Sequence, residues 1–277
     1  MSFLRCGIII GFFFSIFCID AMAQRGSHTY GGSIRAGLAN IGTTLRSNDA
    51  IFSNFANVAL SDSQFGISLG SQNRFLLSEL TTAQIGGYYA LSDHNFVSLS
   101  ISSYGFSDYK ENKVSAAFTR KLMDNLALSA NFDYNQTSIS EHGQTSYLTY
   151  GIGLAGNFSK RISYGVYVFN FQNNEIAPSS DSNAFIQLGV SNKVTDKLTL
   201  HGEAEKYIDE NLNIKIGVNY RLHPSVALRL GYYTDPGAFS FGFTYFLSPL
   251  LQIDMAAQYD ILLGTSPSIS LQYRGSK

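Results

Sequence analysis

The stretch LTLHGEAEKY, residues 198–207, carries a histidine and two carboxylates at the spacing of one face of a β-strand. Successive side chains of a strand point to opposite faces, so His201, Glu203 and Glu205 share one face and Leu200 lies on the other. Two carboxyl groups about 5–9.5 Å apart could serve as the acid and base of a glycosidase. Any pair of carboxylates two residues apart on a strand meets that spacing, so the pattern alone does not predict catalysis.

Two basic residues follow at the same parity in the next two predicted strands. Lys215 in NIKIG and Arg229 in ALRLG would face the same side as the glutamates. Opposite charges on neighbouring strands attract each other across the ladder. The alternative to catalysis is therefore a structural ion-pair cluster, and we favour it over an enzyme. Its predicted members are His201, Glu203, Glu205, Lys215 and Arg229.

The N-terminal residues have the organisation of a secretory signal peptide. Arg5 is followed by an apolar run over residues 7–19 and by the tripeptide AMA, which has small residues at the spacing of a cleavage site. We expect cleavage after Ala23, so that residues 1–23 are removed and the mature chain begins at Gln24. The protein is therefore predicted to be exported.

Other chemical motifs are weaker. GIGLAG (151–156) matches a dinucleotide-binding pattern, but no helical pattern follows it and no βαβ unit surrounds it. Cys6 and Cys18 both precede the predicted cleavage site, so the mature chain would have no thiol for a disulfide, a metal or catalysis. The net charge of −1 creates no strong field to attract nucleic acid. We predict no cofactor, no metal site and no nucleic-acid partner.

Short segments of period-two alternation fill most of the chain. FVSLSISSY (96–104) and LALSANFDY (126–134) alternate apolar with polar residues, which is the pattern of a half-buried strand. The signal is followed by no apolar run of the ~18 residues that a transmembrane helix needs. About fourteen strands are predicted, beginning near residues 65, 84, 96, 113, 126, 149, 162, 184, 198, 213, 226, 238, 251 and 266.

Short and long connections alternate between these strands. LSDHN (91–95) is a short one, and QTSISEHGQTSYL (136–148) and FQNNEIAPSSDSN (171–183) are long ones. This alternation is typical of outer-membrane β-barrels. A soluble β-sandwich would carry more charged residues on its water face than the 14% in this chain. We therefore predict an all-β fold, a transmembrane antiparallel barrel over residues 64–277, in contact with the outer-membrane lipids of a Gram-negative bacterium.

Residues 24–63 do not follow the strand pattern. They are rich in Gly, Ala, Asn and Ser. About fourteen strands enclose more space than the side chains of an eight-stranded barrel fill, so we expect this segment to enter the lumen as a plug. Its candidate contact residues are Arg35, Arg46, Asp49 and Asn54, and either arginine could pair with the two glutamates.

The same segment resembles the plug of a known family. Arg35-Ala36-Gly37, Asn40 and SNDAIFSNFANVA (47–59) are similar to the N-terminal plug of the FadL-like outer-membrane barrels, and more closely to their PorV/PorQ branch. The similarity continues in HGEAEKYIDENLNIKIGVNYRL (201–222), although Phe55 stands where many members have a proline. The resemblance implies transport of fatty acids or aromatic hydrocarbons for FadL-like members, and a role in type IX secretion for PorV and PorQ.

Three functions remain open. The first is an accessory or shuttle subunit of an outer-membrane secretion or assembly complex, whose partners would be other outer-membrane or periplasmic proteins. The second is a FadL-like transporter of small hydrophobic molecules, and the third is a general porin. The plug counts against an open pore, and the sequence shows no evident apolar ligand site. We therefore favour the first.

Overall fold

The computed structural model describes residues 30–171, 184–208, 210–235 and 237–275. These residues form a closed barrel of fourteen antiparallel strands, in which each strand pairs with the next along the chain and the last pairs with the first. The predicted fold class and the strand count are confirmed. The predicted signal peptide lies outside the described residues. Within the described part, no helix has the length and apolarity needed to span a membrane.

The strand boundaries agree with the predicted ones within a few residues at most positions. Short helices precede or interrupt the strands: α1 (Ser33–Ala36) and four 3₁₀ helices over Asn48–Phe52, Phe55–Leu60, Arg74–Leu76 and Ser78–Leu80. The strands are β1 (Phe65–Asn73), β2 (Thr81–Ala90), β3 (Asn95–Gly105), β4 (Tyr109–Met123), β5 (Leu126–Ile139), β6 (Gly143–Asn157), β7 (Ile162–Phe169), β8 (Phe185–Lys193), β9 (Leu198–Tyr207), β10 (Asn213–His223), β11 (Val226–Tyr233), β12 (Ala238–Phe246), β13 (Leu251–Asp260) and β14 (Gly264–Gly275).

Burial alternates with period two along the strands, with the apolar side outward. In β3, Leu99 is 64% exposed and Ile101 is 53% exposed, whereas Ser98 and Ser100 are buried. Outward apolar and inward polar residues reverse the order of a soluble protein, and this reversal is characteristic of a barrel set in lipid. Closure of the ladder also leaves no unpaired sheet edge in such a band.

One predicted loop is wrong. Residues 136–148 do not form a long connection, because β5 continues to Ile139 and β6 begins at Gly143. The two strands stay paired throughout, from Gln136 opposite Ser146 to the final pair. Both faces of this extension are largely polar, so no apolar alternation marked it as strand. The other long connection is residues 170–184, of which 172–183 lie outside the described residues.

Residues 30–63, which we call the lumenal segment, lie inside the barrel. A Cβ added at Gly165 of β7 would lie 2.0 Å from the carbonyl oxygen of Thr43, and one at Gly231 of β11 would lie 2.5 Å from the amide nitrogen of Ala39. The wall therefore carries glycine where the segment passes closest. The segment and the wall share an apolar core, in which Ile51 and other residues of the segment pack against alanines and two aromatic residues of the wall. That core consists of Ala50, Ile51, Phe55, Ala56, Val58, Ala59, Tyr88, Phe96, Ala117, Ala127 and Ala155.

Candidate functional site

Lys215 joins the two glutamates of the starting motif. Its Nζ lies 3.0 Å from Oε1 of Glu203 and 2.8 Å from Oε2 of Glu205. The strand register explains this arrangement, because Lys215 on β10 is directly opposite Glu203 on β9 and diagonal to Glu205. All three side chains are buried. One ammonium group thus serves two carboxylates.

Glu203 also holds the lumenal segment. Its Oε2 accepts hydrogen bonds from the backbone N–H of Gly42 (2.9 Å), from the backbone N–H of Thr43 (2.9 Å) and from the Thr43 hydroxyl (2.8 Å). Three donors from two consecutive residues stabilise the second oxygen of a buried carboxylate. The Glu203 carboxylate therefore connects the barrel wall to the backbone of the lumenal segment.

The two arginines of the lumenal segment have other partners. Arg35 Nε donates to the carbonyl oxygen of Asn40 (2.8 Å), and Arg46 Nη2 donates to Oδ1 of Asn157. Among the described residues, neither arginine forms an ion pair with Glu203 or a neighbouring glutamate. Glu203 therefore accepts hydrogen bonds from backbone amides of the segment instead of pairing with its arginines. Residue types in a sequence do not reveal backbone donors of this kind.

Glu205 and His201 are held within the wall on either side of Glu203. Glu205 accepts from Gln187 Nε2 (2.5 Å) and Asn213 Nδ2 (3.4 Å) besides the lysine. His201 Nδ1 lies 2.7 Å from the hydroxyl of Ser191. Both carboxylates are engaged by several donors, an arrangement that suits anchoring better than proton transfer to a substrate.

Arg229 does not join this cluster, although it has the same parity. Its Nη2 lies 3.6 Å from Oδ1 of Asp254 on β13, and Asp254 also accepts from Gln252. Sequence reasoning missed Asp254, although the alternation in LQIDMAAQY places its carboxylate on the lumenal face. The predicted cluster is therefore divided into two separate charge groups.

Asp49 of the lumenal segment is fully buried close to the second group. Its Oδ1 accepts from the Ser68 hydroxyl (2.7 Å), and its Oδ2 accepts from the backbone N–H of Ile34 (3.3 Å). Burial raises the pKa of Asp49 to about 7, and the charge of Asp254 adds to this effect. Both hydrogen bonds and the charge of Arg229 oppose the increase. Burial in the lumen thus favours the protonated form of Asp49.

Asn54 fastens the segment to two strands at once. Its Nδ2 lies 3.0 Å from the carbonyl oxygens of Thr43 and Leu154 and 3.3 Å from that of Val166. A Cβ at Gly153 would lie 2.2 Å from Asn54 Oδ1. Gly153, the second glycine of the GIGLAG motif, thus leaves room for the Asn54 side chain.

An aromatic cavity lies on the other side of the lumenal segment from the tight turns, at the end of the barrel where β7 ends and β8 begins. Residues of the segment, among them Phe52 and Phe55, form its floor. We call it the aromatic cup, and its ring-bearing lining residues are Phe52, Phe55, Tyr167, Phe169, Phe185, Tyr207 and Tyr233.

Four of these rings form a continuous row across β7, β8 and β9. The ring centroids of Tyr167 and Phe169 are 6.3 Å apart, those of Phe169 and Phe185 are 5.2 Å apart, and those of Phe185 and Tyr207 are 5.0 Å apart. Strand register places Phe185 opposite both Phe169 and Tyr207. Aromatic side chains from three neighbouring strands therefore meet on one side of the cavity.

A second cavity lies below the segment, at the end where the tight turns are. The segment residues that line it are Ile34, Leu38 and the run 44–47. The two cavities share no lining residue. The lumenal segment therefore separates a cup at one end from a vestibule at the other.

The chain matches no protein-family model and no curated protein, but it is similar to solved structures. The CymD monoaromatic hydrocarbon channel has 10% identity and a TM-score of 0.69, covering 91% of this chain and 99% of CymD. The toluene transporter TbuX of Ralstonia pickettii has 12% identity and a TM-score of 0.70, with coverage of 90% and 99%. A FadL homologue of Pseudomonas aeruginosa has 13% identity and a TM-score of 0.63, with coverage of 88% and 98%. The chain thus has the fold of the FadL-like outer-membrane barrels.

Proposed function

We propose that this protein is an outer-membrane transporter that admits a small hydrophobic molecule through the aromatic cup. The row of four rings at the mouth of the barrel is the observation that carries this proposal. Two of the similar structures named above are a monoaromatic hydrocarbon channel, CymD, and a toluene transporter, TbuX, which supports transport rather than a role in secretion. The tight-turn end would face the periplasm, as in other barrels of this kind.

The aromatic lining of the cup suits a small apolar or aromatic ligand. Aromatic pairs contribute roughly 0.5–1.5 kcal/mol beyond the burial of their area, and burial itself adds about 25 cal/mol per Å² of apolar surface. The cavity is also lined by Arg35 and by the Glu205–Lys215 pair, so its lower part is polar. We therefore place the apolar ligand against the wall of Phe169, Phe185 and Tyr207.

Passage beyond the cup would involve the lumenal segment. Residues of this segment line both the cup and the lower cavity, and the two cavities share no lining residue. We propose that a molecule leaves inward when part of the segment moves or the wall opens. The contacts of Glu203 with Gly42 and Thr43 hold the segment in place. We propose that the seated segment is the closed state of the transporter.

Ligand binding tests the proposal. Purified protein should bind toluene saturably, and Phe185→Ala should weaken binding because its ring contacts Tyr167, Phe169 and Tyr207. Phe118→Ala is the matched control, since that ring is on the outer face and 47% exposed.

Native purification supplies the second arm of the test. Mass spectrometry of the protein extracted from its own membrane should find a bound hydrophobic molecule and no stoichiometric protein. A stoichiometric protein partner, together with a cup that does not bind toluene, would favour the secretion subunit and contradict transport.

A further inference from the structure

The cavity below the lumenal segment is strongly basic. It contains an empty space of about 1040 Å³, part of it open solvent, and seven of the chain's 19 lysines and arginines line it. Of the described residues that line it, none is an aspartate or a glutamate. A net charge of −1 for the whole chain therefore conceals a concentrated positive site. We call this cavity the basic vestibule.

Most of these cations have no carboxylate partner. Arg229 pairs with Asp254 at 3.6 Å, and Lys193 pairs with Asp196 at 2.8 Å. The remaining cations form no ion pair among the described residues, although Asp62 attracts Arg46, Asp196 attracts Arg161 and Asp254 attracts Arg274 at longer range. These five are Arg46, Lys160, Arg161, Arg221 and Arg274.

The hydrogen bonds of three of these arginines leave their charge unbalanced. Arg221 donates to a backbone carbonyl (2.6 Å), Arg274 donates to Oε1 of Gln252 (2.7 Å), and Arg46 donates to Oδ1 of Asn157. Each acceptor is neutral, and a guanidinium has five N–H donors. Donors and positive charge therefore remain available toward the cavity.

Arg229 is a second, independent observation that points to a ligand. Its side chain is only 4% exposed, and Nε and Nη1 have no hydrogen-bond partner among the described residues. Nε2 of His201, which also lines the vestibule, has none either. Buried charged donors without acceptors are costly. Their position in the lining points to an acceptor that enters from the vestibule.

We propose that the basic vestibule binds an oxyanion of the phosphate class. Arginines predominate among its cations, and the planar guanidinium fork matches the oxygens of phosphate in two parallel hydrogen bonds. Free phosphate or a phosphate monoester also carries more charge than a carboxylate at neutral pH, which suits several unpaired cations around one space. Arg229 would donate from the inner end, and Arg221 and Arg274 would donate from the wall. This inference does not rest on the transport of a hydrophobic molecule.

Titration of full-length protein in detergent with inorganic phosphate at low ionic strength tests this site. We expect saturable binding, which Arg221→Gln combined with Arg274→Gln weakens by about tenfold or more, since each lost charged hydrogen bond is worth about that factor. Arg120→Gln combined with Lys197→Gln is the matched control, because both side chains are exposed and neither lines the vestibule. Heat modifiability on gels shows whether each variant is folded. If the first double variant fails to fold, Arg161→Gln in the exposed turn replaces it.

Nanodiscs distinguish the two sources of phosphate. If a lipid headgroup occupies the site, phosphatidylglycerol should weaken phosphate binding relative to phosphatidylcholine, and only with the intact arginines. If soluble phosphate is the ligand, the lipid should make no difference. Either result supports the site. Absence of saturable phosphate binding by the wild type, or equal binding by the folded arginine variant and the wild type, would overturn it.

Discussion

Replacing Glu203 by glutamine should release the lumenal segment while leaving the barrel intact. Oε2 of Glu203 is held by three donors of Gly42 and Thr43, and its Oε1 is held by Lys215. A glutamine side chain has one acceptor oxygen and one NH₂ group. Its NH₂ group must therefore face donors, either those of Gly42 and Thr43 or the ammonium group of Lys215. The fourteen-stranded ladder needs none of these contacts.

The size of the effect follows from these contacts. Removing one partner of a buried ion pair costs about 3–5 kcal/mol when the other is left alone. Lys215 still has Glu205 as an ion-pair partner, so the main loss is that of the charged hydrogen bonds to the segment. A single such bond contributes roughly 1.5–3 kcal/mol, and each contributes less here because three donors share one oxygen. We expect a net loss of about 3 kcal/mol, which shifts the equilibrium toward the released segment about a hundredfold.

Trypsin cleavage after Arg35 is the assay, because this residue is only 6% exposed when the segment is seated. Glu205→Gln is the control, since Glu205 shares the strand, the face and Lys215 with Glu203 but bonds to wall residues. Glu203→Gln should be cleaved rapidly, and Glu205→Gln should be cleaved much more slowly. Equal cleavage of the two variants, or wild-type protection of Glu203→Gln, would refute this reasoning.

Three further changes have defined outcomes. The pKa of Asp49 is raised from 3.8 to about 7, so its protonated form stabilises the folded state, and this stability is lost as the pH rises from about 4 to about 7. Asp49→Asn should therefore make the melting temperature depend less on pH across that range. An unchanged slope of melting temperature against pH would contradict this. Gly165→Ala should expose the segment to trypsin, because its Cβ would lie 2.0 Å from the Thr43 carbonyl oxygen, whereas Gly202→Ala, with one atom 4.0 Å away, should not. Leu188→Arg should impair membrane insertion in vesicles, because that side chain is outward and 49% exposed, at a cost of up to about 2–4 kcal/mol, while Leu188→Val should insert normally.

The barrel and its two faces could be predicted because a strand has a period of two. The same parity places Glu203, Glu205 and Lys215 on the lumenal side, where the register then brings the lysine between the carboxylates. Parity does not specify which neighbours pair, however. Arg229 has the required parity but pairs with Asp254, which lies two strands away on β13.

Other features left no readable pattern in the sequence. The donors to Glu203 from Gly42 are backbone groups, which every residue but proline offers. The aromatic cup combines rings from the lumenal segment with rings from distant strands, such as Phe52 and Phe185. In the sequence these rings could not be told apart from the aromatic girdles of a barrel. Three-dimensional closure, rather than local pattern, creates the cup.

Uptake of radiolabelled toluene into proteoliposomes tests the proposed transport most directly. Wild-type protein should raise the rate of uptake above that of empty liposomes, Phe185→Ala should lower it, and Phe118→Ala should retain it, because only the first ring belongs to the aromatic cup. Glu203→Gln should raise the rate if the seated segment is the closed state. Uptake by the wild type at the rate of empty liposomes, with the protein folded and inserted, would contradict transport through this barrel.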